Sequence, residues 1–435
     1  MSYLLKNILI LSIFAGPIFS FAQKDKIERK IVKSVNEHTP ESIALLKKAV
    51  DINSGTMNFE GVKQVGQLFK TELDKLGFET ELTSGEQFGR AGHLIANREG
   101  NNGPTFLLIG HLDTVFDIDS PFQKSIMVND SIMNGPGVSD MKGGDVIIIL
   151  AMRALKEAGV LDNMNIKIIM TGDEEKSGSS LELSKQALIE ASKTADIALG
   201  FEDGDGDPRT VVVSRRGSAD WHLEVTGNAA HSSQIFTENV GNGAIYETAR
   251  ILTEFYNQLS EMENLTFNPG FILGGTSVKI DEDNTGGSAH GKTNVVAQTT
   301  VVNGDIRAIS LDQLEKAKSV MEQIISNNYP QTSAKLIFQN GGYPPMALTK
   351  GNSELLQKYN KVSQDLGFGE VTAVNPRNAG AADISFTAEN VKMAVDGLGL
   401  SGEGGHTVNE TGNLNKLSVQ AKRAAVLMYR LSQEK

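Results

Sequence analysis

The chain has 435 residues, of which 40% are hydrophobic and 22% are charged, a balance that excludes a disordered polymer. Its length favours two or more domains over a single core. The formal net charge of −12 argues against nucleic acid and anionic membranes as partners. Because the sequence contains no cysteine, disulfides and thiolate metal ligands are excluded.

The N-terminus predicts a secretory signal peptide over residues 1–22. Lys6 supplies a positive charge, Ile8–Phe21 is mostly apolar, and Ser20 and Ala22 are small residues at positions where a signal peptidase would cut. The alternative, a membrane anchor, needs about 20 apolar residues, and the run here is shorter. We therefore expect cleavage after Ala22 and a periplasmic or secreted protein that has no membrane contact afterwards.

Strands and helices alternate over residues 23–214, which predicts an α/β domain with a mixed, mostly parallel sheet flanked by helices. Lys24–His38 is predicted to form a charged helix or arm. The helices predicted after it are Pro40–Asp51, Phe59–Leu76, Gly143–Ala158 and Ser179–Ser192. The predicted strands are Glu79–Thr83, His93–Ala96, Thr105–Gly110, Ile166–Thr171 and Asp196–Glu202.

The pattern changes near Arg215 to the order β-α-β-β-α-β, which predicts a ferredoxin-like module over residues 215–344. Its first helix is predicted at Gly243–Leu259, and Ser310 caps the second, with Gln313 at the capping-box position. Its predicted strands are Ala219–Thr226, Phe271–Ile280, Val295–Ile306 and Lys335–Phe338. The α/β domain resumes over residues 345–435, with helices near Ser353–Leu366 and Leu417–Leu431.

Two adjacent carboxylates, Glu174 and Glu175, follow the apolar run Ile166–Met170. Neighbouring carboxylates on a loop repel each other unless a cation holds one of them, and a bound metal would leave the second free to move protons. For an isolated pair, a solvated surface is the commoner explanation. Here, other segments offer further ligands at predicted strand ends, which is where ligands collect in α/β sheets.

These further candidates combine imidazole and carboxylate groups, and they are His111, Asp113, Asp140, Glu202 and His406. Such a mixture suits zinc and its neighbours in the transition series, whereas calcium and magnesium prefer oxygen alone. A calcium-loop interpretation of Glu202–Asp207 fails because Pro208 replaces the required glycine. A dinucleotide-binding interpretation of the glycines near Asp140 fails because the third glycine of that motif is absent.

Taken in their order along the chain, the segments that carry these residues resemble the motifs of the M20 metallopeptidase family, near its glutamate carboxypeptidase and N-acyl amino acid deacylase branches. The resemblance extends from about Pro40 to the C-terminus. It implies that two divalent ions, zinc or alternatively cobalt or manganese, are bound by His111, Asp140, Glu175, Glu202 and His406. In the family pattern Asp140 bridges the ions. Asp113 orients His111, and Glu174 is the general base that passes a proton to the leaving amine.

The resemblance also implies that residues 23–214 and 345–435 form the catalytic domain and that residues 215–344 form a lid through which two chains dimerise. The lid motif contains His231, which in the family reaches the partner's active site and stabilises the oxyanion. Asn294 and Arg307 match lid positions that hold the substrate carboxylate. Gly380 matches a loop that approaches the substrate backbone.

Several polar residues remain without an assigned role. Glu410 either supports His406 or caps the following helix, and the sequence does not decide between these two roles. The other histidines fit no motif and are interpreted as structural or surface residues: His38, His93, His222 and His290.

The sequence therefore predicts a dinuclear metal-dependent hydrolase that cleaves the amide bond before a C-terminal amino acid, with a small peptide or an N-acyl amino acid as substrate. The alternative within the same scaffold is an N-acyl amino acid deacylase or dipeptidase. A non-catalytic binding protein would be expected to lack Glu174 or one of the ligands, and none is missing. A calcium-binding or metal-storage protein would need oxygen-rich loops without a base.

Overall fold

The apolar stripes of the helices in the first and last parts of the chain pack against one central sheet, and those of the two helices in between pack against a second sheet. The structure, a computed structural model, describes residues 26–281, 284–339 and 341–434. The predicted signal peptide, residues 1–22, lies outside these residues. No helix in the described part of the chain is both long and apolar enough to cross a membrane.

The first part of the chain builds most of the central sheet and its covering helices. The helices are α1 (Lys26–Val50), α2 (Phe59–Leu76), α3 (Lys142–Ala158) and α4 (Leu181–Ser192). The strands are β1 (Glu79–Leu82), β2 (Leu94–Arg98), β3 (Asn102–His111), β4 (Ile126–Met127), β5 (Ile132–Asn134), β6 (Met164–Thr171), β7 (Ile197–Gly200) and β8 (Thr210–Val211). The bounds predicted for α2 are confirmed, because Asn58 caps its first turn and Gly77 ends it with φ 84°.

One predicted helix boundary is wrong. The sequence divides the first helical segment at Pro40, but α1 continues through this proline. A proline inside a helix costs roughly 3 kcal/mol because it lacks an N–H and its ring clashes with the preceding turn. Here Ile31 and Val35 before the proline and Leu46 and Ala49 after it are fully buried in one core. Burial of a large aliphatic side chain contributes about 1.5–3 kcal/mol, which offsets that cost.

The inserted module is a four-stranded antiparallel sheet covered by two helices. Its elements are β9 (Gly217–Gly227), α5 (Gly243–Leu259), β10 (Thr266–Gly275), β11 (Ser277–Ile280), β12 (Gly287–His290), β13 (Thr299–Ala308), α6 (Leu311–Ile325) and β14 (Thr332–Phe338). The strand order β10-β13-β9-β14 is that of the predicted ferredoxin-like fold. The predicted strand Phe271–Ile280 is divided between β10 and β11, because β11 leaves the sheet to pair with β12. Ser310 caps α6 as predicted, but the Gln313 side chain accepts from Ile309.

The last part of the chain returns to the first sheet. It contains α7 (Lys350–Asp365), β15 (Thr372–Ala373), β16 (Met393–Val395), β17 (Gly402–Glu403), β18 (Thr411–Asn413) and α8 (Leu414–Ser432). The central sheet has the order β1-β2-β6-β3-β7-β16, with parallel pairing from β6 to β16 and antiparallel pairing before it. The predicted fold class, a mixed α/β sheet with an inserted α+β module, is therefore confirmed.

Candidate metal centre

Three neighbouring strands end at the same edge of the central sheet. Strands β6, β3 and β7 are adjacent and parallel, so the loops after their carboxyl ends lie side by side. His111 is the last residue of β3, Glu174 and Glu175 lie in the loop after β6, and Glu202 lies just after β7. The apolar sequences of these strands bury them in the core. The polar residues that follow are therefore held together at this edge.

Asp140 lies between two histidine–carboxylate pairs. Its Oδ1 is 3.2 Å from Nε2 of His111, and its Oδ2 is 3.0 Å from Nε2 of His406. His111 Nε2 also lies 3.5 Å from Oε1 of Glu202. His406 Nε2 lies 3.2 Å from Oε2 of Glu175. All five predicted ligands thus come together, in the arrangement in which one carboxylate can serve two divalent ions.

The electrostatics of this cluster fit bound cations. Burial, with the nearby charge of Asp140, raises the pKa of Glu202 well above its ordinary value. Hydrogen bonds to Asp140 and Glu175 raise the pKa of His406 to about 11. Oε1 of Glu175 is buried and has no hydrogen-bond partner among the described residues. A divalent ion would provide that partner, and imidazole with carboxylate is a donor set suited to zinc or a neighbouring transition metal.

Asp113 fixes the backbone of the acidic pair. Its Oδ1 accepts the Glu174 N–H at 3.1 Å, its Oδ2 accepts the Glu175 N–H at 3.2 Å, and the Thr56 hydroxyl donates to Oδ2 at 2.7 Å. The sequence predicts instead that this carboxylate orients His111. Nδ1 of His111 is 3.1 Å from the Asp113 carbonyl oxygen but 3.5 Å from its carboxylate. The backbone of Asp113 therefore makes the shorter contact with the imidazole.

Glu174 carries a half-buried carboxyl group next to the cluster of candidate ligands. Burial is the largest cause of its raised pKa; the charge of His111 opposes the shift, and Asp383 and Glu175 add to it. A carboxyl group with a raised pKa takes up and releases protons closer to neutral pH. The site can therefore combine bond polarisation by cations with proton transfer by an adjacent side chain.

Glu410 has a role that differs from both of those considered from the sequence. Its buried carboxylate accepts backbone N–H bonds from Gly137 at 2.9 Å, Ser139 at 3.0 Å and Asp140 at 3.2 Å. Burial raises its pKa to about 7. The helix α8 is capped by Asn413 instead. Glu410 therefore holds the turn that presents Asp140.

Arg215 and Asp396 also support the site, and the sequence analysis did not identify either of them. Nε of buried Arg215 lies 2.9 Å from Oδ2 of Asp396, and Oδ1 of Asp396 accepts the Glu202 N–H at 3.2 Å. Nη1 of Arg215 donates to the carbonyl oxygen of Gly380 at 2.7 Å. This buried ion pair connects the end of β7 to the Gly380 loop. Arg215 stands where the sequence pattern changes, which was the available signal.

The predicted lid residues lie apart from the ligand cluster. His231 and Asn294 are exposed, and the Ser232 N–H donates to the Asn294 carbonyl at 2.9 Å. Nε of Arg307 lies 2.9 Å from Oδ2 of Asp305. Within the described residues, no hydrogen bond or ion pair joins these three predicted residues to the ligands. A single chain therefore does not bring them into contact with the metal centre.

Two further arginines accompany Arg307, and the sequence analysis missed both. Nη1 of Arg216 donates to Thr266 at 2.9 Å, and Thr266 is paired with Arg307 in the lid sheet. Burial and the charges of Arg307 and Arg377 lower the pKa of Arg216, whose Nε is buried without a partner in the described structure. Arg216 at the entry to the lid, Arg307 on the lid sheet and Arg377 in the loop before Gly380 are therefore near enough for the charges of the last two to act on the first.

The remaining histidines make contacts outside the ligand set. His93 is buried and bridges the Gly172 N–H and the Ser184 carbonyl, at 3.2 Å and 2.9 Å. His38 contacts Glu157 at 2.7 Å, and His222 contacts Asn303 at 2.6 Å. His290 is exposed on β12. Their interpretation as structural or surface residues agrees with these contacts.

Comparison with protein-family models matches residues 107–430 to peptidase family M20/M25/M40. That match covers well over half of the chain. The chain belongs to this family. It is therefore an M20-family metallopeptidase, and the predicted family and enzyme class are confirmed. Its mixed sheet and inserted module are the frame on which the candidate metal ligands are arranged.

Curated relatives include both peptidases and deacylases. The M20 chain is 26% identical over 387 residues to carboxypeptidase G2 of Pseudomonas sp. strain RS-16, covering 89% of the chain and 88% of the relative. It is 26% identical over 266 residues to a succinyl-diaminopimelate desuccinylase of Alkalilimnicola ehrlichii, covering 58% and 65%. The first alignment spans nearly the whole of both proteins, whereas the second spans the greater part of each.

Solved structures share the fold. Aminopeptidase PepT from Bacillus cereus superposes with a TM-score of 0.71 at 20% identity, covering 91% of this M20 chain and 99% of that chain. The Bacillus subtilis YXEP protein, described as a dinuclear metal binding peptidase from the M20 family, gives a TM-score of 0.64 at 16% identity, covering 92% and 99%. At these identities the likeness establishes the common architecture and leaves the substrate undetermined.

Proposed function

We propose that this enzyme uses two divalent metal ions to hydrolyse the amide bond before a C-terminal amino acid. The observation that carries the proposal is the position of Asp140 between the His111–Glu202 pair and the His406–Glu175 pair. The similarity to carboxypeptidase G2 over most of both chains supports a carboxypeptidase-like reaction.

In this proposal the five ligands hold zinc, with cobalt or manganese as alternatives. Bound divalent ions supply Lewis-acid polarisation of the carbonyl group and acidify a water molecule. Glu174 accepts the proton of the attacking water and delivers it to the leaving amine. The raised pKa of this carboxyl group supports both transfers, because it brings the uptake and release of a proton closer to neutral pH.

The lid completes the proposed site in a homodimer. His231 stabilises the oxyanion in the neighbouring subunit, a role supported by its exposure and by the lack of contact with the ligands of its own chain. Arg307 and Asn294 bind the substrate carboxylate, and Gly380 approaches the substrate backbone. The apolar N-terminal run of the sequence supports export to the periplasm or the medium.

A second candidate function is the hydrolysis of N-acyl amino acids whose acyl group is itself anionic. The charges of Arg307 and Arg377 both act on Arg216 and lower its pKa, and the carboxylate of Asp305 opposes them. A substrate with a single carboxylate would leave part of this positive charge uncompensated. The similarity to succinyl-diaminopimelate desuccinylases supports the same alternative.

A substrate panel tests both candidates. The purified enzyme, loaded with zinc, cobalt or manganese, is assayed on dipeptides, N-acetyl and N-succinyl amino acids, each with a free or an amidated C-terminus. We expect amidation to lower kcat/KM by about 10-fold to 100-fold, because it removes a charged hydrogen bond worth about 1.5–3 kcal/mol. Equal rates for both forms would contradict the carboxypeptidase-like function.

The proposed recognition of an anionic acyl group is tested with the variant Arg216→Met. If the second candidate is correct, this variant lowers kcat/KM for N-succinyl substrates by about tenfold and leaves N-acetyl substrates unaffected. Arg209→Met is the matched control, because Arg209 is an exposed arginine paired with Asp207. Equal losses on both substrate classes would contradict a subsite for the acyl carboxylate.

A further inference from the structure

The backbone of Glu174 is held from both sides by side chains. Its N–H donates to Oδ1 of Asp113 at 3.1 Å, and its carbonyl oxygen accepts the hydroxyl of Tyr343 at 3.0 Å. Glu174 lies outside any helix or strand. Its position therefore depends on these two side chains rather than on the hydrogen bonds of regular structure.

The hydroxyl of Tyr343 has three polar neighbours. Its shorter bond as a donor is to the Glu174 carbonyl at 3.0 Å, with Oδ1 of Asp383 at 3.4 Å, and the hydroxyl of Ser177 at 3.0 Å can donate to it in return. Burial, with the nearby charges of Asp383 and Glu174, raises the pKa of Tyr343. The phenol therefore keeps its proton and remains a donor to the loop that carries the acidic pair.

Buried charges hold the ring of Tyr343 in place. Nζ of Lys185 lies 2.9 Å from Asp383 and 3.2 Å from Asp173, and all three side chains are at most 3% exposed. The same ammonium group lies 5.6 Å from the centre of the Tyr343 ring. Phe386 contacts the ring edge-on, with 4.9 Å between the centroids. The hydroxyl is thus presented from a fixed ring.

Tyr343 also belongs to the hinge of the lid. Its carbonyl oxygen accepts the N–H of Ser218, at the start of the first lid strand, at 2.9 Å. Arg215, three residues before Ser218, and Met346, three residues after Tyr343, exchange two backbone hydrogen bonds of 2.9 Å and 3.0 Å. The segment that leaves the lid is therefore hydrogen-bonded to the segment that enters it, and Tyr343 connects both to the loop that carries Glu174.

We propose that Tyr343 is a positioning residue that fixes Glu174 for proton transfer and ties its loop to the lid hinge. The inference rests on the proposed role of Glu174 as the base. Tyr343 bonds the backbone carbonyl of Glu174 rather than its carboxyl group, so its hydroxyl affects where that carboxyl group stands and leaves substrate binding unchanged.

The test compares Tyr343→Phe with Tyr359→Phe in the full-length, metal-loaded enzyme. Tyr359 is a matched control, because it is a buried tyrosine whose hydroxyl bonds Gln420, between α7 and α8. We expect Tyr343→Phe to lower kcat about tenfold, as for the loss of one buried hydrogen bond, with KM within twofold and metal content unchanged. Tyr359→Phe should keep kcat. Equal kcat in the wild type and Tyr343→Phe, or equal losses in both variants, would overturn the proposal.

Amide hydrogen exchange over residues 172–178 gives a second readout that requires no substrate. Exchange of this segment should be faster in Tyr343→Phe than in the wild type, and unchanged in Tyr359→Phe. Unchanged exchange in Tyr343→Phe would contradict the anchoring of the loop. If the wild type cleaves nothing in the substrate panel, the proposed function fails, and the exchange measurement still decides whether Tyr343 anchors Glu174.

Discussion

Glu410 holds a candidate metal ligand, Asp140, in place although it is not one of the candidate ligands itself. Its oxygens accept three N–H groups, those of Gly137, Ser139 and Asp140, in the turn that ends at Asp140. This turn has no helical or strand hydrogen bonds of its own to fix the Asp140 carboxylate. Groups that support metal ligands in this way commonly contribute 10-fold to 100-fold in metal affinity.

We expect Glu410→Gln to weaken metal binding by about 10-fold to 100-fold, because an amide NH₂ would face backbone donors that need an acceptor. The control is Glu403→Gln, since Glu403 is exposed on β17 in the same part of the chain. Competition with a chromogenic chelator measures both affinities. Equal metal affinity in the two variants would show that Glu410 does not support Asp140.

Candidate metal ligands are easier to recognise in the sequence than the side chains that hold those ligands in position. The candidate ligands stand at strand ends within short motifs, so local pattern was enough to select them. Glu410 contacts Asp140 across 270 positions, and Tyr343 contacts Glu174 across 169. No local spacing encodes such pairs, because they exist only after the two halves of the α/β domain come together.

At the level of secondary structure, long amphipathic segments were predicted well and short strands were missed. The periodicity of α2 runs over several turns, so its apolar face is evident in the sequence, and the long apolar run of α3 predicts a helix that is buried. Strands β4, β15 and β17 have only two residues each, too few to show alternation. The continuation of α1 through Pro40 depends on tertiary burial, which local propensity does not include.

The lid strands and their loops lead to a prediction about subunits. His231 and Asn294 lie next to each other on the lid and do not touch the ligands of the same chain. If His231 acts across a dimer, mixing the inactive variants Glu174→Ala and His231→Ala under subunit exchange restores activity. In a mixed dimer, one of the two sites has both an intact Glu174 and an intact neighbouring His231.

Random exchange makes half of the dimers mixed, so we expect about a quarter of the wild-type activity. The measurement is the specific activity after exchange, with mixed dimers verified by native mass spectrometry. Each variant mixed with itself is the control and should stay inactive. Verified exchange without recovery of activity would show that His231 does not act in the neighbouring subunit.

In the whole molecule, the α/β domain brings candidate ligands from five separate segments together, and the inserted module lies between the last two of them, Glu202 and His406, in the sequence. The fold class and family were predictable because the motifs occur in a fixed order along an alternating α/β pattern. The substrate was not, because Arg216, Arg307 and Arg377 come from three parts of the chain that meet only in the folded protein.

The proposed mechanism divides metal binding and proton transfer between two neighbouring residues, Glu175 and Glu174. Oε2 of Glu175 lies 3.2 Å from Nε2 of His406, whereas in the described structure Glu174 forms no ion pair, with nitrogen and oxygen within 4.0 Å, with either candidate histidine ligand. Replacement of Glu174 should therefore remove the base and leave the ions in place. Loss of a general base lowers turnover by about 10²-fold to 10⁴-fold.

The most direct test measures metal content and turnover together in Glu174→Gln. The account predicts two equivalents of divalent metal per chain, as in the wild type, with kcat lower by about 10²-fold to 10⁴-fold. Turnover within tenfold of the wild type, or loss of metal together with activity, would contradict it.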